Sequence, residues 1–191
     1  MAPASTRGST GNERSDMSTQ PAAQPPVLAR PAVIDVEASG FGTGSYPVEV
    51  GFALGSGARF CTLITPHADW THWTDEAERV HGLTRDVLFT HGLSVPDAAG
   101  MLNEHLTGQT LYSDGWVVDQ PWLTTLFSAA GVMQRFTVSP LELILSEAQM
   151  AIWADTRDRV IEELNLHRHR ASSDAEIIQE TWVRTRLATA R

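Results

Sequence analysis

The sequence contains no lysine, because all 14 of its basic residues are arginine. Against 23 acidic residues they leave a formal net charge of −9. Proteins that hold long stretches of nucleic acid through many phosphates usually carry a basic face. The charge therefore argues against that class, while it leaves room for an enzyme that takes hold of a chain end only.

Cysteine and long apolar runs are also scarce. Cys61 is the single cysteine, so an internal disulfide is excluded, and its place in the strand-like run RFCTLIT predicts a buried thiol. No apolar run approaches the length that spans a bilayer, and the first residues lack the apolar core of a signal peptide. We therefore expect a cytoplasmic protein that does not bind a membrane.

Composition divides the 191 residues into two regions. Residues 1–29 are rich in Ser, Thr, Ala, Gly and Pro without an apolar period, which predicts a disordered N-terminal tail. Residues 30–191 are long enough for a single domain with a substantial core.

The larger region shows the pattern of an α/β protein. Three consecutive strands are predicted in AVIDVEA, YPVEVGFALG and ARFCTLIT, and two more, QTLYSD and FTVS, follow between predicted helices. Three strands in a row pair most simply as an antiparallel meander, and strands that follow helical crossovers join in parallel. We expect a mixed five-stranded sheet flanked by helices.

The later helices are predicted from their end signals. DQPWLTTLFSAAG indicates a helix that begins at Asp119, and SPLELILSEAQMAIW indicates one continuous helix. Near the C-terminus, Ser173 and Glu176 have the spacing of a capping box. Asp174 would then lie in the first turn, where its charge meets the positive end of the helix dipole.

Two carboxylates interrupt the first predicted strand. Asp35 and Glu37 are separated by one residue, so both side chains would leave the same face of the strand. Two anions this close in a buried strand repel each other unless a positive charge lies between them, and a divalent cation with oxygen ligands supplies one. An edge strand with an exposed polar face explains the pattern equally well.

Other polar residues lie near strand ends and helix starts. Asp114 ends a predicted strand, Asp119 begins a predicted helix, and His169 precedes Asp174 by five residues. Each has an ordinary explanation as a turn or capping residue. Carboxylates at such places can also converge on one edge of a sheet, which is where α/β proteins place their sites.

Taken in order, these motifs resemble the DEDDh (DnaQ-like) superfamily of 3′ to 5′ exonucleases, which includes polymerase proofreading subunits, oligoribonuclease and ribonuclease T. DVEASG, from Asp35 to Gly40, is similar to the first motif, Asp-x-Glu-Thr-Thr-Gly, and HRASSD is similar to the third. VEVGFAL resembles the family's second strand, and VHGLT, from Val80 to Thr84, resembles its Val-His-Gly-Ile-Thr segment. The similarity covers residues 31–187.

The second motif departs from the family pattern. The family commonly has an asparagine four residues before the aspartate, whereas Asp114 lies five residues before Asp119, and Val118 replaces a phenylalanine. Trp122 matches the family's later aromatic residue and favours Asp119 as the ligand. The choice between Asp119 and Asp114 stays open.

The resemblance implies a ribonuclease H-like fold and a two-metal hydrolase with a histidine general base. Its metal ligands would be Asp35, Glu37, Asp119 and Asp174, which together hold two divalent ions, Mg²⁺ or Mn²⁺, and His169 would be the base. Substrate contacts would come from Ala38, Ser39, His81, Gly82, Leu83 and Thr84. HGLT also has an ordinary explanation as a helix end at Gly82 followed by a cap at Thr84, and the two interpretations are compatible.

The implied activity is hydrolysis of single-stranded nucleic acid from the 3′ end to nucleoside 5′-monophosphates. The small size favours RNA or short oligoribonucleotides over DNA repair or proofreading substrates. A non-catalytic module that binds nucleic acid or protein through the same fold is the alternative, supported by the irregular second motif. The resemblance also allows a homodimer.

Overall fold

The computed structural model describes residues 29–190. The predicted tail therefore lies outside the described residues, apart from Ala29. Within the described range the chain forms five strands, seven α-helices and one 3-10 helix. In chain order these are β1 (Ala32–Ala38), β2 (Pro47–Ala53), β3 (Arg59–Leu63), α1 (Asp75–His81), α2 (Arg85–His91), α3 (Val95–Leu106), β4 (Thr110–Ser113), α4 (Trp116–Ala130), β5 (Thr137–Pro140), the 3-10 helix (Leu141–Ile144), α5 (Glu147–Ala151), α6 (Trp153–Leu164) and α7 (Ala171–Thr189).

The five strands form one mixed sheet in the order β3-β2-β1-β4-β5. β1, β2 and β3 pair antiparallel as a meander. β4 joins β1 in parallel, and β5 joins β4 in parallel. The predicted mixed sheet is confirmed, and the carboxyl ends of β1 and β4 lie at the same edge.

The two faces of the sheet are covered by different helices, as the alternation of side chains in β1 requires. Ile34 and Val36 pack into a core formed with α3 and α4. Val33 packs on the other side, beneath α7, together with Ala53 of β2. Asp35 and Glu37 follow Val33 at steps of two residues, so they lie on the face that α7 covers.

Several local predictions were wrong. SPLELILSEAQMAIW is not one helix: β5 extends to Pro140, and the 3-10 helix and α5 follow. Ser146 forms a capping box with Gln149 and starts α5, and Ile152 (φ −113°, ψ 6°) separates α5 from α6. Cys61 is exposed rather than buried, because β3 is an edge strand whose first three residues face solvent.

The connection before α3 contains a short helix, α2, of which the sequence indicated only the capping residue. Thr84 starts it, since its hydroxyl accepts a hydrogen bond from the backbone N–H of Val87. Among residues 29–190, no helix combines the length and the apolar character that a bilayer crossing requires.

Candidate functional site

The site is built around the two carboxylates of β1. Asp35 and Glu37 are half-buried and share one face of the strand. The register of the antiparallel pair places Asp35 opposite Gly51 and Glu37 opposite Glu49 on β2. The site therefore lies in the interior of the sheet rather than on an edge strand.

Of the two aspartates in the second motif, Asp119 is the buried one. It is 3% exposed, and the Ser113 hydroxyl at the end of β4 donates a hydrogen bond to its Oδ2. A Cβ added at Gly115 would lie 3.4 Å from the same oxygen, so the helix start packs close to the carboxylate. α4 begins at Trp116, three residues earlier than predicted, because the Gly115 carbonyl already accepts helical hydrogen bonds.

Asp114 lies at the surface beyond β4. Nη2 of Arg157 on α6 is 4.0 Å from its Oδ2, and its side chain keeps 29% of its accessible surface. Burial raises the pKa of Asp114, and the Arg157 charge opposes the rise. The negative charge of Asp119 raises the pKa of Asp35 more than that of Asp114 does, and Asp119 as the ligand of the second motif stays a prediction.

The third part of the site is the turn that leads into α7. Asp174 is 8% exposed, and its carboxylate accepts hydrogen bonds from the His169 backbone N–H at 2.6 Å and from Arg168 Nε at 3.1 Å. His169 has a left-handed backbone conformation with φ of 58°. One turn thus holds both the predicted base and the predicted last ligand.

The predicted capping box of α7 was wrong. The helix begins at Ala171 with Arg170 in the N-cap position, so Ser173 lies inside the first turn. Glu176 binds Arg59 of β3 instead of reaching back to Ser173. Asp174 still occupies the first turn, as expected from the helix dipole.

Glu37, His169 and Asp174 come within reach of a single ion. Each offers one ligand atom, and these atoms lie within 4.8 Å of one another. Residues from β1 and from the start of α7 therefore meet, although more than 130 positions separate them in sequence.

Burial and mutual repulsion raise the pKa values of three acids of the site. Burial, followed by the negative charge of Asp119, raises the pKa of Asp35 well above its ordinary value. Burial and the charge of Asp174 raise the pKa of Glu37 to about 7. Burial also raises the pKa of Asp119 to about 7, although the hydrogen bond from Ser113 opposes this.

This electrostatic pattern fits a divalent cation. Among residues 29–190, the salt bridges reach Asp114 and Asp174 but leave Asp35, Glu37 and Asp119 without a cationic partner. Clustered carboxylates with a surplus of negative charge could hold such an ion, and its identity as Mg²⁺ or Mn²⁺ stays a prediction.

The predicted substrate residues at the end of β1 are largely enclosed. Ala38 is 6% exposed and Ser39 is fully buried. The Ser39 hydroxyl is 2.9 Å from Nδ1 of His72 and accepts from the Tyr46 backbone N–H at 3.1 Å. In this structure the Ser39 side chain therefore fixes the loop, and its contact with substrate stays a prediction.

The segment from His81 to Thr84 alternates between buried and exposed positions. His81 and Leu83 are buried, whereas Gly82 and Thr84 are exposed. Nδ1 of His81 accepts from the Leu83 backbone N–H at 3.0 Å, and burial lowers the His81 pKa. Gly82 ends α1 with φ of 69° and Thr84 starts α2, so the helix-end interpretation of this segment holds whether or not it also contacts substrate.

One exposed aromatic residue beside the site was missed. Phe41 is 76% exposed on the turn after β1, and its ring centroid is 5.7 Å from that of Trp122. Trp122 itself is buried and donates from its indole to Ser45 Oγ at 2.9 Å. The signal in the sequence was the pair of glycines, Gly40 and Gly42, that flanks Phe41. Both glycines have positive φ in the structure, as a tight turn requires.

Comparison with known proteins adds to this geometry. No protein-family model matches the sequence, and no curated protein matches it. Solved structures do match. Exonuclease I from Methylocaldum szegediense is 12% identical with a TM-score of 0.60, over 84% of this chain and 41% of that one. The zinc-bound E. coli exonuclease I–ssDNA complex is 12% identical with a TM-score of 0.62, over 85% and 42%.

A third match is a 3′-exonuclease that recognises the 3′ end of the histone mRNA stem-loop. It is 12% identical with a TM-score of 0.58, over 84% of this chain and 64% of that one. The chain has the fold of these exonucleases. The ribonuclease H-like fold predicted from the motifs is thereby confirmed, and the chain spans about two-fifths of the length of the exonuclease I structures.

Proposed function

We propose that this protein is a metal-dependent 3′–5′ exonuclease that hydrolyses single-stranded nucleic acid to nucleoside 5′-monophosphates. The observation that carries the proposal is the convergence of Glu37 of β1 and Asp174 of α7 beside His169. Asp119 of α4 is close enough for its charge to raise the pKa of Asp35. Two structural neighbours, an exonuclease I in complex with ssDNA and a 3′-exonuclease, support the proposal at the level of the fold.

The proposed ligands of two divalent ions, Mg²⁺ or Mn²⁺, are Asp35, Glu37, Asp119 and Asp174. When bound, such ions stabilise the charge on the attacking and leaving oxygens of a phosphodiester. The raised pKa values of Asp35, Glu37 and Asp119 support this assignment, because these carboxyls have no positive partner among the described residues.

His169 is the proposed general base. Its ring nitrogen shares with Glu37 and Asp174 the 4.8 Å cluster, so a water held there can pass a proton to the imidazole. The bond from the His169 backbone N–H to Asp174 restrains the loop without using the ring.

The proposed substrate is a strand whose terminal bases are unpaired. Phe41 presents an exposed ring beside β1, and a ring in that position can stack on a base. In the predicted substrate-contact segment from His81 to Thr84, the residues exposed to solvent are Gly82 and Thr84. The preference for RNA over DNA remains a prediction.

The test uses RNA and DNA oligomers of one sequence, labelled at either end. We expect a 5′ label to yield a ladder that shortens from the 3′ end, and a 3′ label to be released first as a mononucleotide. EDTA should stop the reaction, and Asp35→Ala should lower kcat about 10⁴-fold, the scale on which loss of one member of a catalytic set acts.

The matched control is Asp155→Ala, which removes an exposed acid from α6. It should keep the wild-type rate. Equal cleavage by wild-type and Asp35→Ala preparations would show that the activity belongs to a contaminant and would defeat the proposal.

The non-catalytic alternative has one observation in its favour, the second motif with Asp114 at an irregular spacing. It predicts that the wild-type protein retains labelled oligomers in a binding assay and releases no product with Mg²⁺ or Mn²⁺. The same labelled oligomers therefore distinguish a binding module from an exonuclease, and they also show whether an exonuclease prefers RNA or DNA.

A further inference from the structure

An ion pair between a buried carboxylate and a partly exposed arginine joins β2 to the start of α7. Glu49 is fully buried on β2, and its carboxylate accepts from Arg170 Nε at 3.1 and 3.2 Å and from Nη2 at 2.7 Å. The Ala171 backbone N–H donates to Oε2 of the same carboxylate at 2.9 Å. Glu49 thus satisfies an N–H of the first turn of α7 from across the fold, a role that a local capping residue usually has.

The next residue on the same face of β2 approaches α7 even more closely. A Cβ added at Gly51 would lie 2.2 Å from the backbone nitrogen of Ser172. The register places Glu49 opposite Glu37 and Gly51 opposite Asp35. The first turn of α7 is therefore attached to β2 level with the two acids of β1.

The proposed base and one proposed metal ligand lie on either side of the residues that attach this turn to β2. His169 immediately precedes Arg170, and Asp174 lies three residues after Ala171. A shift of this turn moves the base and one ligand together, and displacements of about 1 Å cost on the order of 100-fold in rate.

The pair also leaves Glu37 without an arginine partner. In antiparallel strands, side chains at opposed positions are near neighbours, so Arg170 has two carboxylates within reach. Its hydrogen bonds go to Glu49, which leaves the Glu37 carboxylate without an arginine partner among the described residues. An unpaired Glu49 would be costly in the interior, whereas an unpaired Glu37 keeps its carboxylate oxygens for the proposed metal ion.

We propose that Glu49 is a positioning residue of the active site, which holds Arg170 and the start of α7 so that His169 and Asp174 face Glu37. This inference rests on the proposed exonuclease function. Stability alone does not account for the pair, because even a fully buried ion pair can often be replaced by well-packed apolar residues of similar volume without loss of stability.

The experiment compares Glu49→Gln, Arg170→Gln and the double variant with wild type, by kcat, KM, Mn²⁺ affinity and thermal melting in EDTA. Each single variant should lower kcat about 10- to 100-fold and weaken Mn²⁺ binding about 10-fold, as outer residues that orient ligands do. KM should change less than about threefold, because no substrate contact is removed.

The double variant separates positioning from stability. With neither charge left unpaired, it should melt close to wild type and still show the reduced kcat. Recovery of kcat together with the melting temperature would overturn the proposal, and so would a wild-type kcat in Glu49→Gln. If Glu49→Gln does not fold, Arg170→Lys makes the same comparison, since it keeps the charge and loses the paired N–H donors.

The control variant is Arg184→Gln, at the other end of α7. Arg184 pairs with Glu163 and Glu180, so its loss should lower the melting temperature and leave kcat unchanged. If wild type cleaves no oligomer, the exonuclease proposal fails, and the positioning proposal is decided by Mn²⁺ affinity. Equal affinity in wild type and Glu49→Gln would then overturn it.

Discussion

The backbone N–H of His169 donates to Oδ2 of Asp174 at 2.6 Å. This bond holds a non-glycine residue in a left-handed conformation, which costs roughly 1 kcal/mol or more when nothing compensates for it. Since the bond uses only the backbone, the imidazole stays free to act within the cluster that it forms with Glu37 and Asp174. The arrangement separates the structural task of the loop from its proposed chemical task.

His169→Ala tests this separation. We expect kcat to fall about 10²- to 10⁴-fold, the contribution of a general base. Mn²⁺ affinity should change less than about threefold, because the backbone bond to Asp174 survives the substitution. His167→Ala, two residues away on the exposed part of the same loop, is the control and should retain full activity. Equal loss of metal binding and of rate would instead make His169 a ligand.

The metal-free protein should become less stable as pH rises. Glu37 and Asp119 have pKa values of about 7 in the fold and near 4 as unfolded side chains, so the folded state binds more protons between those values. Stability is therefore lost as pH rises through this interval. Melting temperatures in EDTA should fall between pH values of about 5.5 and 8, and Mg²⁺ should restore more of the loss at the higher pH. A flat profile in EDTA would contradict the repulsive cluster.

Asp35→Asn should raise the stability of the metal-free protein and abolish its activity. Removing its charge relieves the repulsion from Asp119 and Glu37, so the metal-free variant should melt above wild type at a pH of about 8. The difference should shrink as pH falls, because protonation of the wild-type carboxyl removes the same negative charge. Activity should be lost, as in other sites that trade stability for function. Asp155→Asn controls for surface charge, and equal melting of Asp35→Asn and wild type at the higher pH would refute the prediction.

The sequence predicted those parts of the fold that local patterns determine. The spacing of Asp35 and Glu37, with one residue between them, placed both on one face of β1, which the structure confirms. Gly82 and Thr84 marked the end of one helix and the start of the next. Both signals depend on a few neighbouring residues, so they can be found without the tertiary structure.

The start of α7 could not be predicted in this way. The local rule selects Ser173 and Glu176, but the carboxylate that binds the first turn is Glu49, 122 positions earlier than Ala171. A cap supplied by a distant strand leaves no mark in the sequence of the helix. For the same reason Glu49 and Arg170, which are ordinary residues of a strand and a loop, gave no sign of their pairing.

Gly51→Ala tests how closely α7 must approach β2. The new Cβ would lie 2.2 Å from the Ser172 nitrogen and 2.4 Å from the Ala171 carbonyl carbon, so the backbone of the first turn must move. We expect a loss of about 3 kcal/mol in the free energy of unfolding, the upper part of the range for overpacking. Any folded fraction should have a lower kcat, because His169 and Asp174 move with the turn.

Gly100→Ala is the matched control: it lies within α3, where an added Cβ meets no atom within 4 Å, and should be neutral or stabilise by up to about 1 kcal/mol. Chemical denaturation of both variants measures the difference, and equal stabilities would show that the turn is free to shift.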